Sequence, residues 1–165
     1  MESAGAVRRA GLTVILVASA IYLVACFSPP SLMDDVDAVQ AQIAANMLHS
    51  GDWVTARLNG VAYLEKSPLI YWLMAGSYAI FGVHDWAARL PLALCTIWLC
   101  WLTYRIGRWA FGPMEGLLAG LAISTCMGLW LFTRILIPDV ILTGTIALAM
   151  WAFLRALDES EARPA

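Results

Sequence analysis

The chain has 165 residues, 61% hydrophobic and 13% charged, with a formal net charge of −2 and a mean hydropathy of +0.74. Soluble domains carry about 25% charge, and a small water-soluble fold leaves too much surface exposed to hide so apolar a composition. An ordinary soluble domain is excluded, a basic nucleic-acid footprint is absent, and an all-α, polytopic membrane bundle is expected.

A membrane-spanning helix needs about 20 mostly apolar residues. The first such run, "AGLTVILVASAIYLVACF" at 10–27, follows Arg8 and Arg9. No small-residue cleavage site precedes "FSPPSL", so an uncleaved first helix is expected in place of a signal peptide.

Next comes "DDVDAVQAQIAANML", in which Val36, Val39, Ile43 and Met47 fall on one helical face. The helix is expected to start at Asp34 and to stop near Gly51. Asp34, Asp35 and Asp37 crowd its beginning. Asp34 can cap the helix with Asp37 three residues on, as in a capping box, and the helix dipole favours acids there. That explanation covers Asp35 least. The functional alternative is an acidic site, which binds a divalent metal through oxygen ligands or accepts a proton from an attacking hydroxyl or amine.

"SGDWVTARLNGVAYLEKSP" reads as a connector with a turn at Asn59-Gly60. Its Glu65-Lys66 pair stands just before a proline and an apolar helix. It is either a surface ion pair with a snorkelling lysine or a compact positive charge for a phosphate at headgroup level. The run 67–82 has 16 residues and is ambiguous, whereas 86–104, 114–133 and 138–155 have the length of spans. Asp139 follows Pro138 in a capping arrangement, yet an ionisable residue bordering a span is a functional candidate by default. Arg134 is near enough in sequence to pair with it.

Basic residues set the orientation. Arg8 and Arg9 place the N-terminus in the cytoplasm, and Arg105 and Arg108 mark a cytoplasmic turn. One crossing between them and the end of the first span satisfies both, so 67–82 is expected to lie in the interface. The outer loop 28–85 then holds two interfacial helices. It carries six acids (Asp34, Asp35, Asp37, Asp52, Glu65 and Asp85) against Arg57 and Lys66. Arg155 and Arg163 return to the cytoplasm. Cys26, Cys95, Cys100 and Cys126 all lie in apolar runs and are expected as buried thiols. His49 and His84 lack metalloprotease spacing, and no phosphate-binding loop or nucleophile elbow occurs.

"SGDW" at 50–53, "NGVAYLEKSPLIYW" at 59–72, "FG" at 81–82, "ARLP" at 88–91 and the later "TRILIPD" together resemble membrane glycosyltransferases of the GT-C class. Within that class they are most similar to lipid A aminoarabinose transferases and to bacterial homologues of the dolichyl-phosphate-mannose protein mannosyltransferases. The resemblance covers about residues 30–140. It implies transfer of a sugar from a polyprenyl-phosphate carrier to a lipid or protein acceptor, at the periplasmic face of the bacterial inner membrane. It further implies that a first-loop acid orients or deprotonates the acceptor. Asp35 is the first choice for that acid, with Asp34 and Asp37 close behind, because the family's acid pair counts back from "SGDW" onto Val36 and Asp37. Lys66 would contact the carrier phosphate, Glu65 and Asp139 would line the pocket, and Arg134 and Arg57 are further binding candidates. Ser67 stands where the family has a proline. Four spans are fewer than such enzymes carry, so residues 1–165 are expected to form one N-terminal membrane module, with the rest of such an enzyme as a partner beside membrane lipids. No cofactor beyond the candidate divalent metal is implied. A non-catalytic four-helix protein that serves as an assembly or interaction partner is the rival reading. A transporter is disfavoured because the charges sit at the membrane border and not at mid-span.

Overall fold

A computed structural model describes residues 4–27, 32 and 35–161. Seven helices and one small hairpin follow in the order α1 (Ala4–Phe27), α2 (Asp35–Ser50), β1 (Arg57–Leu58), β2 (Val61–Ala62), α3 (Leu69–Phe81), α4 (Asp85–Ala110), α5 (Pro113–Ser124), α6 (Met127–Thr133) and α7 (Asp139–Glu161). Asp34 and Arg163 lie outside the described residues.

Among the described residues, three single helices are long and apolar enough to cross a membrane: Val7–Phe27 in α1, Asp85–Ala110 in α4 and Asp139–Asp158 in α7. The chain is a multi-pass membrane protein. α3 is apolar but has 13 residues, about 20 Å of helix against a hydrocarbon core of about 30 Å. Its length agrees with an interfacial helix.

The run expected as one span over 114–133 forms two helices that together are long and apolar enough to cross a membrane. α5 and α6 meet at a bend of 50°. The sequence "ISTC" supplies the cause. The Ser124 hydroxyl donates to the Gly120 carbonyl at 2.6 Å, and the Thr125 hydroxyl donates to the Leu121 and Ala122 carbonyls at 3.1 and 3.3 Å. Hydroxyls that bond back to the preceding turn bend helices. Cys126 then takes an extended conformation, with φ −69° and ψ 119°.

α1 and α4 run antiparallel, and contacts at both ends fix this. The Tyr104 hydroxyl donates to the Val7 carbonyl at 2.9 Å at one end. At the other, the Cys26 thiol donates to the Trp86 carbonyl at 3.3 Å, and the Phe27 and Trp86 rings sit 5.2 Å apart. Between these points Val14, Ala18 and Tyr22 pack on Ala93, Ile97 and Cys100. α5 lies close against α4 because Gly116 carries no side chain: a Cβ there would come within 2.6 Å of the Arg108 backbone nitrogen.

A second core joins the outer loop to the bundle. Ile43, Ala44 and Met47 of α2 pack with Ile70, Tyr71 and Met74 of α3, with Ala88 and Leu92 of α4, and with Leu136 and Ile141. The Ser77 hydroxyl donates to the Ala87 carbonyl at 2.6 Å, pinning α3 to the start of α4. The buried face of α2 carries Ile43 and Met47 of the expected set, with Val39 half-buried against the core. Val36 is 41% exposed, while Asp37, Gln40, Ala41, Ala44 and Met47 point inward. Only Val36 of that set turns outward, in the first turn, where Asp37 takes the inward position and meets its buried partner.

The Asn59-Gly60 turn is present and closes a two-residue hairpin, with Arg57 opposite Ala62 and Leu58 opposite Val61. Both turn residues have positive φ, 51° and 82°, as a two-residue loop of the primed type requires. Cys26 and Cys100 are buried as expected. Cys95 is half-buried, and Cys126, at the helix break, is exposed.

Candidate functional site

Asp37 lies in the first turn of α2 and faces α4. Its Oδ2 accepts a hydrogen bond from Arg89 Nη2 at 2.7 Å, and its Oδ1 accepts one from the Leu136 backbone N–H at 2.8 Å. The two side chains are 4% (Arg89) and 7% (Asp37) exposed. Arg89 Nε also donates to the Arg134 carbonyl at 3.4 Å. One carboxylate and one guanidinium therefore fasten three separate pieces of chain: the start of α2, the second turn of α4 and the link between α6 and α7.

This geometry sorts the three neighbouring aspartates. Each oxygen of the buried Asp37 accepts one hydrogen bond, so its carboxylate ties these pieces of chain together. Asp35, two residues earlier, is exposed. Asp34 lies outside the described residues. The pattern expected for a divalent metal is not assembled: among the described residues, no group of three or more His, Cys, Asp or Glu could hold one.

Arg89 is the residue that sequence reasoning left out of the site. Its signal was present: it is the one charge in an otherwise apolar run, and such a charge marks a buried partner or a functional role. The partner, 52 positions away in sequence, carried no local signature.

The link that follows Arg134 presents Asp139, exposed in the first turn of α7. The expected Arg134–Asp139 pair is not formed among the described residues. Arg134 instead lies over the Trp130 ring, 4.8 Å from its centroid, because as the residue that ends α6 it turns back along that helix. Asp139 stands at the edge of an apolar groove of about 360 Å³ lined by Leu99, Ile123, Leu129, Phe132 and Val140. A much smaller cavity of about 10 Å³ is bounded by Tyr22, Cys26, Arg89, Thr133 and Arg134, the size of one water. The buried Tyr22 hydroxyl, which lacks a partner among the described residues, borders it.

Glu65 and Lys66 form a separate, open group between the hairpin and α3. Lys66 Nζ lies 3.7 Å from Glu65 Oε1, with side chains 37% and 64% exposed. The Tyr63 hydroxyl donates to Glu65 Oε2 at 2.6 Å, and this bond to a carboxylate raises the Tyr63 phenol above its ordinary value. Tyr71 is fully buried; burial first, and then the neighbouring Tyr63 and Glu65, push its phenol up to about 12.

Arg57 faces Asp52 at 3.6 Å and donates from Nη1 to the Gly60 carbonyl at 3.4 Å. Asp52 accepts from the Val54 and Thr55 backbone N–H groups at 3.1 and 3.0 Å. Those two bonds, Thr55 first, and then Arg57 hold its carboxyl below the usual carboxylate range. Arg57 is thus occupied in bracing the hairpin. The structure ties Asp37, Arg89 and the 134–136 link directly to one another. Among the described residues no ion pair connects Asp35, Lys66 or Asp139.

Comparison with known proteins fits this architecture. A family model described as "Dolichyl-phosphate-mannose-protein mannosyltransferase" matches residues 65–163. A protein of Aquifex aeolicus is 34% identical over 112 residues, 67% of this chain and 22% of its own length. The undecaprenyl phosphate-alpha-4-amino-4-deoxy-L-arabinose arabinosyl transferase 2 of Sodalis glossinidius is 29% identical over 144 residues, 84% of this chain and 25% of its own. The crystal structure of ArnT from Cupriavidus metallidurans bound to undecaprenyl phosphate superposes with a TM-score of 0.77 at 27% identity, covering 85% of this chain and 26% of that one. The chain therefore spans about a quarter of the length of these relatives.

Proposed function

The chain belongs to the dolichyl-phosphate-mannose-protein mannosyltransferase family, and from that premise we propose that residues 1–165 form the N-terminal membrane module of a GT-C-like glycosyltransferase. The reaction moves a sugar from a polyprenyl-phosphate carrier to a lipid or protein acceptor at the periplasmic face of the bacterial inner membrane. The observation that carries this reading is the agreement in fold with a solved ArnT over 85% of the chain at 27% identity.

The chemistry needs a base, a charge for the leaving phosphate and a seat for the carrier. Asp35, exposed at the start of α2, accepts the proton of the acceptor hydroxyl or amine as that atom attacks the sugar's anomeric carbon. The bond from that carbon to the carrier phosphate breaks, and the phosphate leaves with the electron pair. Lys66 meets the charge gained there, with Glu65 beside it as a further pocket residue. Asp139 and Arg134 border the same end of the bundle, and the apolar groove next to Asp139 has the character a polyprenyl chain needs. Arg57 contributes by holding the hairpin in place.

The arrangement of basic residues supports the orientation. Arg8, Arg105 and Arg108 share one groove at the end of the α1–α4 pair remote from Cys26 and Trp86, near which Arg89 and Asp37 lie. With that basic end cytoplasmic, α2, the hairpin and α3 are periplasmic.

In a complete enzyme that carries this module, Asp35→Asn and Lys66→Ala should each abolish sugar transfer while membrane insertion stays intact. Full transfer by both variants would remove the site assignment.

A further inference from the structure

We infer that the groove between the N-terminal end of α1 and the C-terminal end of α4 binds the headgroup of an anionic phospholipid, at the membrane face opposite the proposed transfer site. The groove has a volume of about 300 Å³, and Arg8, Arg105 and Arg108 line it from two different helices. No acid is among its lining residues. Among the described residues, none of these three arginines makes an ion pair with a carboxylate. Glu115, on the adjoining turn of α5, has its carboxylate against Gly112 instead.

The site is built, and is more than a scatter of positive charges. The Arg105 guanidinium lies 5.1 Å from the Trp101 ring centroid and 5.7 Å from that of Trp151. Two aromatic faces hold it in one orientation, and an oriented guanidinium meets a phosphate with paired, charge-assisted hydrogen bonds. Gly11 allows the Tyr104 ring to close on α1, since a Cβ there would sit 3.0 Å from Tyr104 Cε1. The Tyr104 hydroxyl reaches the Val7 carbonyl, so the floor of the groove is fixed by a hydrogen bond between the two helices.

The lining also has two ends. The cations come from the second turn of α1 and the last two turns of α4, while Leu12, Ile15 and Trp101 line the side toward the middle of the membrane. A soluble phosphate would use only the first end. A lipid uses both, with its phosphate at the arginines and its acyl chain along Leu12 and Ile15. The charge selects among lipids: three cations with no acid favour a headgroup of net negative charge over a zwitterionic one, by about fivefold for each arginine near the membrane surface.

The test is made on the 165-residue chain in nanodiscs of phosphatidylcholine with a minor fraction of phosphatidylglycerol. Both leaflets have the same composition, so orientation does not affect the result. Retained lipids are counted by native mass spectrometry, and helix content is followed by circular dichroism. The chain should keep phosphatidylglycerol in excess of its share. Arg105→Gln should lower that excess about fivefold, and the combined Arg8→Gln, Arg105→Gln, Arg108→Gln variant should lose it at unchanged helix content. Arg9→Gln, at the same end but outside the groove, should retain it. An excess unaltered in the triple variant overturns the inference. So does an equal loss with Arg9→Gln, which would mean a diffuse charge effect, and so does displacement of the lipid by millimolar inorganic phosphate, which would mean a site for a free anion. Retention of neither lipid by the unaltered chain, with the groove filled by another part of the polypeptide, also overturns it.

Discussion

Two acids of the outer loop meet cations in different settings: Asp37 pairs with Arg89 of α4, and Glu65 with its neighbour Lys66. The first pair is 2.7 Å long and almost wholly buried; the second is 3.7 Å long and largely exposed. The second is visible in sequence as neighbouring residues, the first joins positions 52 apart, and their surroundings give them opposite uses. A buried pair has left water behind and must keep its partner, so it fixes geometry. An exposed pair gains little from its own contact and is free to exchange that partner for a ligand. The difference has Asp37 and Arg89 bracing the fold and leaves the Lys66 contact open to water, as the proposed phosphate role needs.

The largest expected effect comes from breaking the buried pair. Asp37→Ala should lower stability by about 3–5 kcal/mol, because it leaves the Arg89 guanidinium buried without its partner and frees the Leu136 N–H. Thermal unfolding in detergent measures this, and a loss below about 1 kcal/mol would show that the pair is not desolvated in the folded protein. Replacing both partners separates the cost of an orphaned charge from the worth of the pair. Asp37→Leu with Arg89→Met should recover most of the stability, since well-packed apolar residues often replace a buried ion pair without loss. If the double variant is no better than the single one, the hydrogen bonds to Leu136 and to the Arg134 carbonyl carry the stabilisation.

These two variants also mark how far the sequence could be read. Helices over 10–27, 86–104 and 138–155, the short apolar helix α3 and the Asn59-Gly60 turn follow from local signals: long apolar runs, a shorter apolar run, and a residue pair that tolerates positive φ. What escaped depended on distance or on competition. Asp37 looked like a helix cap because its true partners are 52 and 99 positions away. The same pair takes the inward position beside Val36, which turns outward while Ile43 and Met47 of the expected face are buried. The break in 114–133 was written in Ser124 and Thr125, but hydropathy averages over such hydroxyls and passed it by. Among the site candidates, residue type was legible and role was not. Type depends on the chain alone, whereas surroundings depend on the fold, which leaves Asp35 exposed and buries Asp37 within a single turn.

The exposed pair should respond in the opposite way. Lys66→Gln should change the stability of the chain by no more than about 1 kcal/mol, and that change should shrink as salt is raised. The Asp37–Arg89 contribution should be nearly independent of salt, because buried pairs are screened much less. Unfolding of both variants at low and high ionic strength gives the contrast directly. A large, salt-insensitive loss for Lys66→Gln would place that residue with the architecture and take it away from the phosphate.

A third pair, Asp52–Arg57, supplies the smallest effect and the finest test, because there the backbone shifts a carboxyl that remains open to water. Two N–H groups and a guanidinium favour the ionised form of Asp52 and lower its folded value. A carboxyl lowered on folding stabilises the folded state at every pH above its unfolded value. That contribution fades as the pH falls through the folded value, so the window lies below about pH 4. Following the Asp52 carboxyl carbon by NMR should show it titrating below an ordinary aspartate. Arg57→Gln should move it only part of the way back, because the Thr55 and Val54 N–H groups are the larger causes. A complete return to the ordinary value with Arg57→Gln would mean that the ion pair, and not the turn, holds the carboxylate. Arg57 would then rank with the buried architecture despite its exposure, and exposure alone would no longer separate the two kinds of pair.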